Sequence, residues 1–160
     1  MRVLGIDPGL ERLGWGVIDK TGSKLTPVAF GVLQTPRVEL PSRLRLIEES
    51  LQELMGAHQP DCVATERLLF SVNKTTAMDV AKALGVVLLV TARTHLPWRE
   101  YSPPEVKRAV VGNGAADKKQ VQFMVTKLLG LEKPPRPDDV ADALAIAICH
   151  SMQLPAVVSG

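Results

Sequence analysis

The chain has 160 residues, 46% of them hydrophobic, and a net charge of only +2, which suits one domain with a substantial core and leaves no room for a second of comparable size. No apolar stretch reaches the roughly 18 residues that a bilayer span requires. Met1-Arg2-Val3 opens on a strand-like run rather than a signal peptide, so a soluble, cytoplasmic protein with no membrane partner is expected. Cys62 and Cys149 lie in apolar segments without the pair spacing of a metal site, which points to buried reduced thiols.

In chain order, Arg2 to Asp7 reads as a buried strand broken by Pro8-Gly9. Leu13 to Ile18 and Thr26 to Leu33 are two further strands joined by short turns, implying an antiparallel meander. Ser42 to Met55 is an amphipathic helix, with Leu44, Ile47, Leu51 and Leu54 on one face, Ser42 as its cap and Gly56 as its end. Cys62 to Glu66 is a short strand, Asn73 to Arg93 a long helix and Trp98 to Ser102 a last strand, an alternation that implies parallel pairing. A short helix near Glu105 to Val110, a helix from Asp117 to Leu129 and a final one from Asp138 to Met152 follow. The stretch Glu132 to Pro137, with three prolines, is expected as a stiff exposed linker, and residues 153–160 as a flexible tail. The single domain is thus placed at residues 1–152.

Four carboxylates stand out. Asp7 closes the apolar run Val3 to Ile6, Glu66 closes Cys62 to Thr65, and Asp139 and Asp142 open the last helix. An acid at the end of a buried strand costs desolvation energy unless something compensates it. Asp139 and Asp142, three residues apart, project from one helix face, while Asp138 is turned about 100° away. First-turn acids also satisfy free N–H groups and suit the helix dipole, the reading favoured for Asp138. Asp142 lies past that turn and interrupts an apolar face. Oxygen ligands without histidine or thiolate favour Mg²⁺, with Mn²⁺ able to substitute, and two such ions support phosphodiester hydrolysis. His58, His95 and His150 are read as structural.

Charge is unevenly spread: from Arg93 to Arg136 nine Lys or Arg stand against four acids, a local +5 that leaves the remainder at −3. A cationic surface beside an anionic pocket suits a metal-dependent enzyme acting on a polyanion, although an ordinary solvated face fits the charge equally. The glycine loop Val111 to Lys119 runs into a helix start carrying two lysines, a place where a phosphate is favoured and where a simple capped loop also fits.

Gly5-Ile6-Asp7-Pro8-Gly9, Ala64-Thr65-Glu66 and Asp139-Val140-Ala141-Asp142-Ala143-Leu144-Ala145-Ile146-Ala147 resemble, in order and at matching spacing, the motifs of the RuvC family of Holliday junction resolvases. The resemblance covers nearly the whole chain. It implies an α/β, ribonuclease-H-like fold with a five-stranded mixed sheet and helices on both faces. It further implies a structure-selective endodeoxyribonuclease that resolves four-way DNA junctions by paired symmetric nicks in recombination and repair, with Asp7, Glu66, Asp139 and Asp142 as catalytic ligands of two Mg²⁺. Lys107 and Lys118, with Lys119 as a weaker addition, are then DNA contacts. Family members carry an aromatic three residues after the glutamate, whereas this chain has Leu69 there and Phe70 one position later. Either Phe70 takes over stacking on a junction base or an aliphatic wedge suffices. Where some resolvases have histidine, this chain keeps Asp139.

The resemblance also implies a homodimer, association with the RuvA and RuvB branch-migration complex, and nucleoid association when acting. Ala77, Ala81 and Gly85 form a small-residue stripe on the long helix that permits close approach of a second helix, or packing on the chain's own sheet. Two other readings compete: half of an actin-like or sugar-kinase-like ATP phosphotransferase, whose opening motif is similar but which needs two lobes, and a non-catalytic junction-binding module.

Overall fold

Alternation along the first strand, β1 (Arg2–Asp7), decides which helices meet which face of the sheet. Leu4 and Ile6 point one way, into a cluster with Leu13, Val17, Val63, Ile47, Leu51 and Val87. Val3 points the other way, into a cluster with Ile18, Ala64, Leu144 and Ile148. The computed structural model describes residues 1–68 and 74–154. Within it, β2 (Arg12–Thr21), β3 (Lys24–Gln34), β4 (Cys62–Glu66) and β5 (Trp98–Tyr101) complete a sheet of order β3-β2-β1-β4-β5. β2 is antiparallel to β1 and β3, while β4 is parallel to β1 and β5 parallel to β4. The expected meander and parallel half are both present.

Helices α1 (Leu40–His58) and α2 (Lys74–Arg93) supply the Leu4 side, and α3 (Pro103–Val111), α4 (Lys118–Leu128) and α5 (Asp138–Gln153) the Val3 side. Among the described residues no helix is long and apolar enough to cross a membrane. Cys62 and Cys149 are buried free thiols, and burial pushes them up to about 11 and about 12 respectively.

Several boundaries differ from expectation for identifiable reasons. Helix α1 starts at Leu40, because Pro41 in its first turn loses no hydrogen bond there. Ser42 therefore lies inside the helix and caps nothing, and Gly56 is also internal; the chain turns at Gln59, which adopts a left-handed conformation with φ 48°. Ser102 leaves β5 to cap α3, in a reciprocal pair of bonds with Glu105. In the 132–137 linker Pro135 is buried, so that segment is packed down at its middle rather than wholly exposed. Helix α5 runs through Gln153, one residue into the expected tail, and residues 155–160 lie outside the described residues, as do Leu69 and Phe70.

Helix α5 is apolar on all sides, and from Val140 to Ser151 only Asp142 is not buried. Glycines let it descend onto the sheet. A Cβ added at Gly5 would overlap the Ala143 carbonyl oxygen and stand 2.8 Å from Ala147 N, and one at Gly14 would overlap the Asp139 carbonyl. At Gly16 the obstruction would be the Leu144 side chain. Gly5 pairs with Gly16 and Gly14 with Asp7 across β1 and β2, so the three form one contiguous seat. Backbone cannot yield as a side chain can. Gly5→Ala and Gly14→Ala should therefore each cost about 1–3 kcal/mol in denaturant unfolding, with Gly16→Ala at the lower end; three equal small losses would refute a rigid seat.

Candidate active site

The β1–β4 pairing fixes the first two acids. Ile6 lies opposite Thr65 in a parallel register, so the next residues, Asp7 and Glu66, emerge together at the carboxyl end of the sheet, the edge where open α/β sheets commonly bind ligands. The glycine seat brings the other two. Asp139 has its backbone over Gly14, the strand partner of Asp7, and Asp142 follows one turn later on the same helix face.

Electrostatics record the convergence. Burial, then Asp142, Glu66 and Asp139, push the Asp7 carboxyl well above the ordinary carboxylate range, with Lys118 opposing. Glu66 is raised by burial and by Asp142, against Lys107. Burial also raises Asp142; Lys118 works against this while Asp139 and Asp138 add to it. Like charges in a desolvated corner disfavour their own ionised forms, and a cation removes that penalty.

Two cations already compete for these acids. Arg12 Nε lies 3.7 Å from Asp139 Oδ2, and Lys118 Nζ lies 3.3 Å from Asp138 Oδ2 and 4.0 Å from Asp142 Oδ2. Partial burial lowers the Lys118 ammonium, but Asp142, Asp138 and Asp139 outweigh it and hold Lys118 above its ordinary value. Among the described residues no group of three or more His, Cys, Asp or Glu is gathered closely enough to hold an ion. The donor chemistry nonetheless fits a hard divalent cation, being carboxylate oxygen throughout.

Lys107, on α3, and Lys118, at the start of α4, line a cleft of about 300 Å³ together with Glu66 and Asp142. Lys119 turns away from it and lines a different groove. The N-terminus of α4 is not a bare anion site, since Asp117 and Gln120 satisfy each other's backbone N–H groups in a capping box.

Asp138 is not a cap either. The N-cap of α5 is Pro137, and the Asp138 carboxylate accepts from Arg136 and Gln122 and pairs with Lys118, tying α5 to α4. Arg12 and the glycine seat were not singled out in the sequence; glycines inside a strand are the signal that marks a close backbone approach. His58 rests against Trp15, and His95 occupies a turn with φ 57°. His150 is buried within α5 and bonded to the Tyr101 hydroxyl at 2.6 Å, so all three stand apart from the acids.

The sequence model for "Crossover junction endodeoxyribonuclease RuvC" matches residues 3–150. The chain belongs to the RuvC family. The RuvC crossover junction endodeoxyribonuclease of Syntrophomonas wolfei is 48% identical over 151 residues, covering 94% of this chain and 88% of that protein. The Rhodococcus opacus RuvC is 50% identical over 159 residues, covering 98% and 84%. A Thermus thermophilus RuvC structure solved in complex with a Holliday junction substrate superposes with a TM-score of 0.91 at 37% identity, covering 96% of this chain and 94% of that one. The ribonuclease-H-like fold expected from the motifs is therefore the observed one, and RuvC-family nucleases as a class depend on metal ions.

The three raised carboxyls fix the sign of the pH response. A carboxyl with a folded-state pKa above its unfolded value binds more protons folded than unfolded, so its contribution to stability falls as pH rises from about 4 through the raised value. Metal-free protein should accordingly melt at higher temperature in mildly acidic buffer than at neutral pH, and Asp7→Asn should raise the neutral-pH Tm. Mg²⁺ should raise the Tm of the parent protein more than that of Asp7→Asn. Identical melting of the two proteins with and without Mg²⁺ would remove Asp7 from the anionic cluster.

Proposed function

We propose that residues 1–152 form a single nuclease domain that resolves four-way DNA junctions by paired, symmetric nicks, with Asp7, Glu66, Asp139 and Asp142 holding two Mg²⁺, replaceable by Mn²⁺. The observation that carries this reading is the convergence of Glu66, Asp139 and Asp142 on Asp7, whose carboxyl is pushed well above the ordinary range by burial and by these acids, a penalty that a cation would relieve. Family membership across residues 3–150 supports nuclease action and sets aside the ATP phosphotransferase and the non-catalytic module.

When bound, the ions supply an activated water and stabilise the departing 3′ oxygen. The chain's own part is to place the phosphate. Lys107 and Lys118 flank the cleft that holds Glu66 and Asp142, so a phosphodiester drawn to both ammonium groups lies against the acids. Lys118, once turned to a phosphate, no longer neutralises Asp142, which frees that carboxylate for ligation. Lys119 contacts the strand outside the cleft. Leu69 and Phe70, outside the described residues, are the candidates for contact with bases at the junction centre.

The homodimer forms through the outer face of α2, but the stripe responsible is shifted from the one expected. Ala77 is buried in its own protomer, whereas Met78, Ala81, Gly85 and Leu89 are exposed, at three- and four-residue spacing. An added Cβ at Gly85 would meet nothing within 4 Å, so the notch at its position is open to a partner helix. Each protomer then cuts one of two opposed strands. Handover from the RuvA and RuvB branch-migration complex, in the cytoplasm at the nucleoid, completes the reading.

Cleavage of a mobile four-way junction with Mg²⁺ tests it. Asp7→Asn, Glu66→Gln and Asp142→Asn should each reduce cleavage at least about 100-fold while junction binding survives, because removing an acid lessens repulsion with DNA. Lys118→Ala should weaken binding and flatten its salt dependence by about one unit of slope. Full cleavage by Asp7→Asn, or equal nicking of plain duplex, would sink the assignment.

A further inference from the structure

A groove of about 700 Å³ neighbours the cleft of Glu66 and Asp142, lying between α4 and the segment from Leu131 to Asp138 and sharing Lys118 with it. Helix α4 explains its make-up. Val121 and Val125 are buried, so the opposite face presents Lys119, Phe123 and Lys127 at four-residue intervals, one line along the helix. Phe123 is 58% exposed and, on its other flank, lines a second hollow with Lys119. Lys127 Nζ stands 5.6 Å from the Phe123 ring centroid.

Charge in the groove is net positive, with four Lys or Arg in its lining against two acids. Asp138 is engaged by Lys118, Arg136 and Gln122, which leaves Glu132 as the other acid in the lining. Lys119 and Lys127 make no ion pair among the described residues. A lone exposed phenylalanine needs no explanation, but one set between two lysines in a cationic groove continuous with the catalytic cleft has the composition of a nucleic-acid backbone track.

We propose that this groove carries the junction arm beyond the cleaved phosphate, with Lys119 and Lys127 on two phosphates of one strand separated by about three to four nucleotides and Phe123 against a deoxyribose between them. The assignment rests on the nuclease reading above and adds a subsite to it. The helix rise sets its position: nine residues from Lys118 to Lys127 correspond to about 13 Å, or roughly four nucleotides at 3.4 Å along a strand. Lys127 therefore reads a phosphate about four nucleotides from the one at Lys118.

A methylphosphonate scan tests this, each arm phosphate in turn being replaced by its neutral analogue and binding measured on the full-length protein. For the parent protein, a neutral linkage about four nucleotides from the scissile one should weaken binding several-fold; for Lys127→Ala that same linkage should have no effect. Lys127→Ala should lower the salt slope by about one unit, Lys127→Arg should restore it, and Phe123→Ala should weaken binding without changing the slope. A flat scan beyond the cleft, or unaltered affinity in both alanine variants, overturns the subsite and leaves the groove to a protein partner. Failure of the nuclease reading is distinct, since parent protein would then cut no junction at all. These side chains are exposed, and an unchanged Tm in each variant separates lost binding from lost folding.

Discussion

Mutual repulsion among carboxylates at the carboxyl end of β1 is the constraint around which this molecule is organised. The fold does not avoid it; it enforces it. Parallel pairing places Asp7 and Glu66 side by side, and the glycine seat lowers α5 until its first turns stand over the same corner. Burial then makes the charges costly, as the raised Asp7, Glu66 and Asp142 carboxyls record. Such strain is tolerable only because the surrounding apolar packing is extensive: helix α5 is buried along nearly its whole length between the sheet and α3 and α4.

Arg12 and Lys118 moderate the strain differently from a bound ion. Each pairs with one of the α5 acids from outside, at 3.7 Å for Arg12–Asp139 and 4.0 Å for Lys118–Asp142, and both are half or more exposed. Exposed pairs at such distances contribute little to stability. They hold the acids without committing them, and under the proposed function a metal ion and a phosphate would take their place.

Much of this was legible in the chain. Apolar runs ending in acids gave Asp7 and Glu66, and the unbroken apolarity of α5 made Asp142 conspicuous, because burial on all sides leaves a lone acid no solvent to face. What escaped was what depends on packing between distant segments. Gly14 and Gly16 look like weak points in a strand until α5 is laid across them. Ala77 and Ala81 are indistinguishable by periodicity, yet one is buried and the other exposed, because only tertiary packing decides where the covered face of α2 ends. Helix α1 shows a smaller case: Ser42 has the chemistry of a cap, but Pro41 is compatible with the first turn and the helix begins ahead of both.

The division of the sheet into two faces also bears on how one active corner per chain can serve a symmetric substrate. Helix α2 packs on the Leu4 face, and α3, α4 and α5, with the cleft and the cationic groove, belong to the Val3 face. A pairing through the outer stripe of α2 therefore covers neither cleft nor groove. Two copies so joined would keep both acid corners open on a single twofold assembly. Glu66 ends β4 and α2 is the next described element, so under the proposed pairing the spacing between the two corners would follow from the fold of each protomer.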